Sequence, residues 1–343
     1  LDLSSLMSFN GEDGAGLYAE SGGQLETPNL ATLDMVEVIV YGENSIDTLA
    51  LTTITGNNAD PDSLWIEFYD APSWSFPALT TIHGVAFGII DGDATLSALT
   101  DMDNCSFWND GASTVSLPGI TSFRLYGATG NYLTPEGAES TLSLPNLVSI
   151  EGSPSTDGFL WVAAEGGGRL ELPALTTVTG GTVLAAWYWG STLWAPMLAS
   201  MTGILGTSEQ MLRAAHATLE IGTSVPETTV SNVSVWLNAG DVVTSTLVTD
   251  ASVEILGAGT ITGDLQVGGT LRPGDTLGGV TVDGDLTMAS TGTLGIEIGG
   301  YAAGTEYDQL IVTGHVALDG TFDVNLVTGF EPTVSDTFSP LTY

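Results

Sequence analysis

Apolar residues recur along this chain in a short phrase rather than in helical stripes. The phrase reads Phe76-Pro77-Ala78-Leu79-Thr80-Thr81-Ile82, then Leu144-Pro145-Asn146-Leu147-Val148-Ser149-Ile150, then Leu172-Pro173-Ala174-Leu175-Thr176-Thr177-Val178. Degenerate copies put its second apolar position at Leu30, Leu51, Leu79, Leu99, Ile120, Leu147, Leu175 and Leu198. Successive copies therefore lie roughly 20–28 residues apart, too close for a helix-pair repeat and suited to one turn of a solenoid of strands. β-Prone runs at 36–41, 64–69, 85–90, 159–163 and 182–189 fill the intervals, and clusters of Gly, Asn, Asp and Pro at 56–62, 152–154 and 166–168 supply the turns. One stretch, 208–219, has helical spacing and predicts a few turns of helix where the phrase stops.

From about residue 223 the runs become shorter and alternate, at 230–237, 242–248, 252–256, 260–267, 280–288 and 293–298. Gly263-Asp264, Asp283-Gly284-Asp285 and Asp319-Gly320 suit tight turns between them. The stretch from Gly269 to Leu286, followed by Glu306-Tyr307-Asp308-Gln309-Leu310 and Val316 to Phe322, resembles the autotransporter-associated β-strand repeat of bacterial surface proteins, over about residues 255–340. That resemblance implies a right-handed parallel β-helix in a secreted or surface-displayed chain. The upstream phrase, Leu-x-Leu-Pro-x-Leu-x-x-Ile-x-Gly, is similar to receptor L-domain repeats, which form an irregular right-handed solenoid, over about residues 25–205. Neither family brings catalytic residues that map onto this chain. The expected fold is all-β: a right-handed parallel β-helix (β-solenoid) with irregular coils of about 20–28 residues over 1–222, then a more regular β-solenoid segment over 223–343.

Charge narrows the function. Forty-one acidic residues stand against four arginines, Arg124, Arg169, Arg213 and Arg272, giving a formal net charge of −37, and Lys is absent. Without Lys there is no Schiff base, no P-loop lysine and no Lys-Asn crosslink. Such a surface repels phosphate backbones and anionic lipids, so neither nucleic acid nor direct membrane insertion is expected. No apolar run long enough to cross a membrane occurs. The single Cys105 excludes an intrachain disulfide. With no Met or apolar leader at its start, the chain reads as a mature product or fragment, and its composition places it outside the cell or on the cell surface.

Several constellations carry candidate chemistry. Asn58, Asp60 and Asp62 flank Pro61 in a turn, and Asp91, Asp93, Asp101 and Asp103 would ladder along a solenoid edge, where calcium is the natural ligand for stacked carboxylates; solvated turn residues are the plainer reading. Asp91 with Asp93 and Asp101 with Asp103 would share a strand face, and a glycosidase needs two carboxylates at set separations, yet a chain this acidic offers such pairs by chance. The aromatic candidates are Trp187-Tyr188-Trp189 with Trp194. On a strand Trp187 and Trp189 share a face opposite Tyr188, so the pair or the singleton lies outside the coil unless a turn intervenes; an exposed pair would stack on sugar rings or a neighbouring subunit, and core stacking is the plainer reading. Asn104-Cys105-Ser106 and Asn232-Val233-Ser234 match the glycosylation sequon. Thr52, Thr80 and Thr176 follow the repeat and suggest a threonine ladder. His83, His216 and His315 sit in no zinc-ligand spacing, no GxSxG elbow occurs, and Gly257 to Gly263 misses the dinucleotide fingerprint.

The reading these features favour is a non-enzymatic extracellular structural protein. No cap is evident at either end of the repeats, and uncapped coils join copies head to tail into a filament, sheath or matrix, with divalent cations such as calcium bridging the acids. A surface adhesin or a module that binds polysaccharide is the alternative, and a polysaccharide lyase or hydrolase the third.

Overall fold

A computed structural model describes residues 1–11, 15–20, 22–42, 45–127, 130–156, 158–204, 210–327 and 329–343. The chain is all-β and its strands pair in parallel, coil upon coil, as a β-solenoid. It divides into two compact units, Leu1–Val183 and Leu184–Tyr343.

Each full coil of the first unit contributes to three parallel sheets. The first sheet stacks Gly16–Ala19, Glu37–Tyr41, Trp65–Tyr69, Ala86–Ile90, Ser106–Asp110, Asn131–Pro135 and Leu160–Glu165 in chain order. The second stacks Ser73–Trp74, Asp93–Thr95, Thr114–Ser116, Thr141–Ser143 and Arg169–Glu171. The third runs from Ser8–Asn10 through Thr32–Asp34 and Thr53–Thr55 to Thr81–His83, and later pairs Ser122–Arg124, Ser149–Glu151 and Thr177–Thr179.

The repeated phrase is the corner between the second and third sheets. In the copy at 144–150, Leu147 N–H donates to Leu144 O at 3.2 Å to close the turn, and Val148 N–H donates to Thr121 O of the preceding coil at 2.8 Å. Leu144, Leu147 and Ile150 all point inward and are buried, as are Leu172, Leu175 and Val178 in the next coil. Each such side chain contributes roughly 1.5–3 kcal/mol by leaving water. The ladder threonines are spent on this stacking rather than displayed as a flat array: the hydroxyls of Thr52, Thr80 and Thr176 donate to Ala31 O, Thr52 O and Val148 O at 2.9, 3.1 and 3.1 Å.

In the second unit two long strands, Ser234–Thr249 and Glu254–Val267, pair in parallel with register shifts at Asn238/Gly240 and Val243/Thr246. Shorter strands continue the stack, with Gln309–Val312 paired to Gly279–Asp283, Thr321–Leu326 to Thr293–Ile298, and Leu341–Thr342 to Gln309–Val312. The helix expected over 208–219 is absent from its described part. Residues 208 and 209 lie outside the described residues, and Met211–Ala215 and Thr218–Ile221 are strands. Leu212 and Ala214 pair in parallel with Val235 and Leu237, so cross-coil pairing overrides a weak local helix preference.

Asp308 fastens the later coils. It is 2% exposed; its Oδ1 accepts from Gly278 N–H at 2.9 Å and its Oδ2 from Glu297 N–H at 2.8 Å. Burial outweighs these bonds and pushes its carboxyl up to about 6. The folded carboxyl therefore holds its proton to higher pH than the unfolded one, and its charge costs stability as pH rises from 3.8 through about 6. Asp308→Ala leaves two buried N–H groups unpaired and is expected to lower stability by about 2–4 kcal/mol in urea denaturation followed by circular dichroism. Asp308→Asn, which keeps one acceptor and removes the charge, should lose less and flatten the pH dependence over that window.

Candidate functional site

Alternation along the first sheet of the first unit sends one set of side chains inward and the other to the surface. Inward, Phe68, Phe87 and Phe107 stack, with ring centroids 5.6 and 5.4 Å apart. Outward, Trp65, Trp108, Tyr132 and Trp161 line a groove that crosses the strands, with Phe159 at its lip. Trp65 meets Trp108 edge to face at 5.4 Å, and Trp108 meets Tyr132 at 5.7 Å. Trp108 reaches Trp65, two strands away, because Gly88 stands between them: a Cβ on Gly88 would lie 2.4 Å from the Trp108 ring. The groove has a volume of about 440 Å³, within the usual range for small-ligand sites.

Carboxylates surround these rings. Glu136 and Glu165 line the groove, and Glu165 Oε1 accepts from Trp161 Nε1. Burial, then the charges of Glu165 and Asp110, raise the Glu136 carboxyl above its ordinary range. Burial likewise raises Asp62 and Glu67. The Tyr132 hydroxyl is raised by burial and then by Asp62, Glu136 and Glu67, which places all three acids within electrostatic reach of one ring. None of the described lining residues is basic. Thr134, 4% exposed, faces the groove with a hydroxyl that has no hydrogen-bond partner among the described residues.

Several of the acids expected to hold cations take hydrogen bonds within the fold. Among the described residues no three His, Cys, Asp or Glu side chains converge on one ion. Asp93 Oδ1 accepts from Thr114 N–H and Asp103 Oδ1 from Arg124 N–H, both at 2.8 Å and both one coil later. Asp103 Oδ2 also accepts from the Tyr126 hydroxyl at 2.7 Å. Asp62 accepts from Ser106 Oγ at 2.7 Å, and Asp101 lies 2.6 Å from His83 Nε2. Asp60 receives Ser63 Oγ on its carbonyl, Asn58 receives Asn104 Nδ2 on its own, and Asp91 turns the chain at φ 53°. Asp62, Asp93 and Asp103 thus answer backbone and hydroxyl donors of neighbouring turns, while Asp101 pairs with a histidine.

Asn104 is fully buried, with its Nδ2 donating to Asn58 O at 2.7 Å and its Oδ1 accepting from Tyr126 N–H, so this sequon is closed to a glycan. Asn232 is half-buried at φ 53°, its N–H bonded to Ser252 Oγ. Cys105 is buried and its thiol is pushed up to about 12 by burial.

In the Trp187 cluster a turn intervenes, so Trp187 and Trp189 do not share a strand face. The strand Thr182–Trp187 ends there, and Tyr188 turns the chain at φ 71°. The Arg213 guanidinium sits 3.8 Å from the Trp187 ring centre and 4.8 Å from that of Trp236, and burial lowers the Arg213 pKa. Trp189 is 77% exposed and stacks on His216 at 4.7 Å. Trp194 is half-buried and donates Nε1–H to Glu220 Oε1 at 3.0 Å. The larger aromatic surface is therefore the groove of the first unit. Its sequence signal is the spacing of Trp65, Trp108 and Trp161, each step close to two coils; nothing local marks Tyr132, Phe159, Glu136 or Glu165 as their companions.

No protein-family model, curated protein or solved structure matches the chain.

The Gly88 gap generates a direct test. Gly88→Ala puts a Cβ against the Trp108 ring and is expected to displace it, shifting tryptophan emission to longer wavelength and costing about 1–3 kcal/mol in a urea titration.

Proposed function

We propose that this protein is a non-enzymatic, extracellular β-solenoid that binds polysaccharide along the aromatic groove of its first unit. The observation that carries this reading is the row Trp65, Trp108, Tyr132 and Trp161, brought to one outward face of one sheet by four of its strands. Flat rings with flanking carboxylates and a free hydroxyl suit a sugar chain, whose C–H faces stack on aromatics while its hydroxyls bond to acceptors. The extracellular placement is supported by the acidic, Lys-free composition and by the likeness of residues 255–340 to surface-protein repeats.

A second reading, self-assembly, is favoured by one observation. Thr321–Leu326 is exposed at all six positions, although Phe322, Val324 and Leu326 stand in register with the buried Leu294, Ile296 and Ile298. This apolar surface suits a further coil, which in that reading a second copy provides. Growth of the sedimenting species with concentration, with or without calcium, would support assembly; a single species throughout would remove it.

Binding to a polysaccharide panel, read by intrinsic fluorescence and affinity electrophoresis, tests the groove. Trp65→Ala and Trp161→Ala should each weaken binding about tenfold with little loss of fold, whereas Trp189→Ala, in the second unit, should leave it unchanged. Release of new reducing ends by the wild type would overturn the non-enzymatic assignment.

A further inference from the structure

We propose that the groove selects amino sugars carrying a free ammonium group over their N-acetylated and acidic counterparts. This inference rests on the polysaccharide reading above and adds the class of sugar. Three independent features of the site support it.

The first is the rings. The faces of Trp65, Trp108, Tyr132 and Trp161 present negative quadrupoles, which attract a cation lying within about 6 Å of a ring centre. The protein already uses this contact where Arg213 lies over Trp187 and Trp236. The second is charge without a counterion. Glu136 and Glu165 line the groove and Asp62 and Glu67 lie within electrostatic reach of Tyr132, while none of the described lining residues is basic. The first unit's two arginines are engaged elsewhere, Arg124 with Glu151 at 2.6 Å and Arg169 with Glu171 at 2.7 Å. Burial and neighbouring acids hold the Glu136 carboxyl above its ordinary range, a strain that an ammonium group in the groove would relieve. The third is the buried, unpartnered hydroxyl of Thr134, which can accept from an ammonium N–H or donate to a ring hydroxyl.

A bare metal ion does not satisfy the same features. Among the described residues no three acidic, His or Cys side chains converge, and aromatic walls contribute nothing to hard-cation coordination. Charges spread along an aromatic trench match a ligand whose ammonium groups are also spread out, as on a glucosamine chain. A uronate or sulfated chain would bring anions into a site with no base and onto a protein of formal charge −37. N-acetylation removes the cation and leaves only ring stacking.

The test compares a glucosamine hexamer, an N-acetylglucosamine hexamer, a galacturonate hexamer and a hexalysine peptide by titration calorimetry on the whole chain. The expected result is that the glucosamine hexamer binds about tenfold more tightly than the N-acetylated one, and that high salt narrows the gap. Glu136→Gln should bring the preference down to about threefold or less, because it weakens the glucosamine hexamer more than the N-acetylated one. Equal or tighter binding of the N-acetylated hexamer would overturn this inference while leaving the polysaccharide reading intact. Binding of hexalysine as tight as that of the glucosamine hexamer would overturn the assignment to a sugar. Failure of all four ligands and of the wider polysaccharide panel would overturn the parent reading itself.

Discussion

Ala86–Ile90 hydrogen-bonds on one side to Trp65–Tyr69 and on the other to Ser106–Asp110, residue against residue, and this parallel ladder is what the remaining features depend on. These pairs hold one register along their length, and a slip of one residue would turn every inward side chain outward. Each new coil therefore inherits the facing of the coil before it. Inward positions become columns such as Phe87 and Phe107, and outward positions become columns as well. The apolar interior grows by the same increment with each turn, so stability follows from neighbours rather than from a single centre.

The groove is a by-product of that inheritance with one local exception. Were every outward position on the first sheet large, Trp108 would stand away from the sheet. Gly88 leaves the space into which its ring lies, and this closes the distance to Trp65. Rings set in advance need little ordering, which would favour the recognition proposed above.

Acidity also has a structural side. In a ladder of coils, carboxylates at matching turns would repel if left facing one another. Here they take up N–H groups one coil later, as Asp93 does with Thr114, Asp103 with Arg124, Asp264 with Asp285 and Asp285 with His315. Each such bond pairs a charged acceptor with a backbone donor and helps fix the register between coils. The acids of the groove are the contrast: Asp62 takes one hydroxyl and Glu165 one indole N–H, and burial holds Glu136 and Glu67 above their ordinary range.

The repeat phrase alone determined that this protein is a stack of strand-built coils, because Leu-Pro-x-Leu-x-x-Ile satisfies one corner geometry and recurs at one-coil spacing. Composition alone set the expectation that phosphate-bearing and anionic partners are disfavoured. Only the tertiary structure decided which side chains meet. Tyr132 and Trp161 are neighbours across one ladder step although a whole coil of chain separates them, and Asn104 is sealed beneath the turn at Asn58, which lies far earlier in the chain. Trp187 and Trp189 part company because Tyr188 takes a left-handed turn, and Met211–Ala215 is a strand because Val235 and Leu237 pair with it. In each case but the Tyr188 turn, the deciding contact lies one or two coils away. Coils are of unequal length over the phrase repeats, so the linear sequence does not state which residue will lie opposite which; the ladder does.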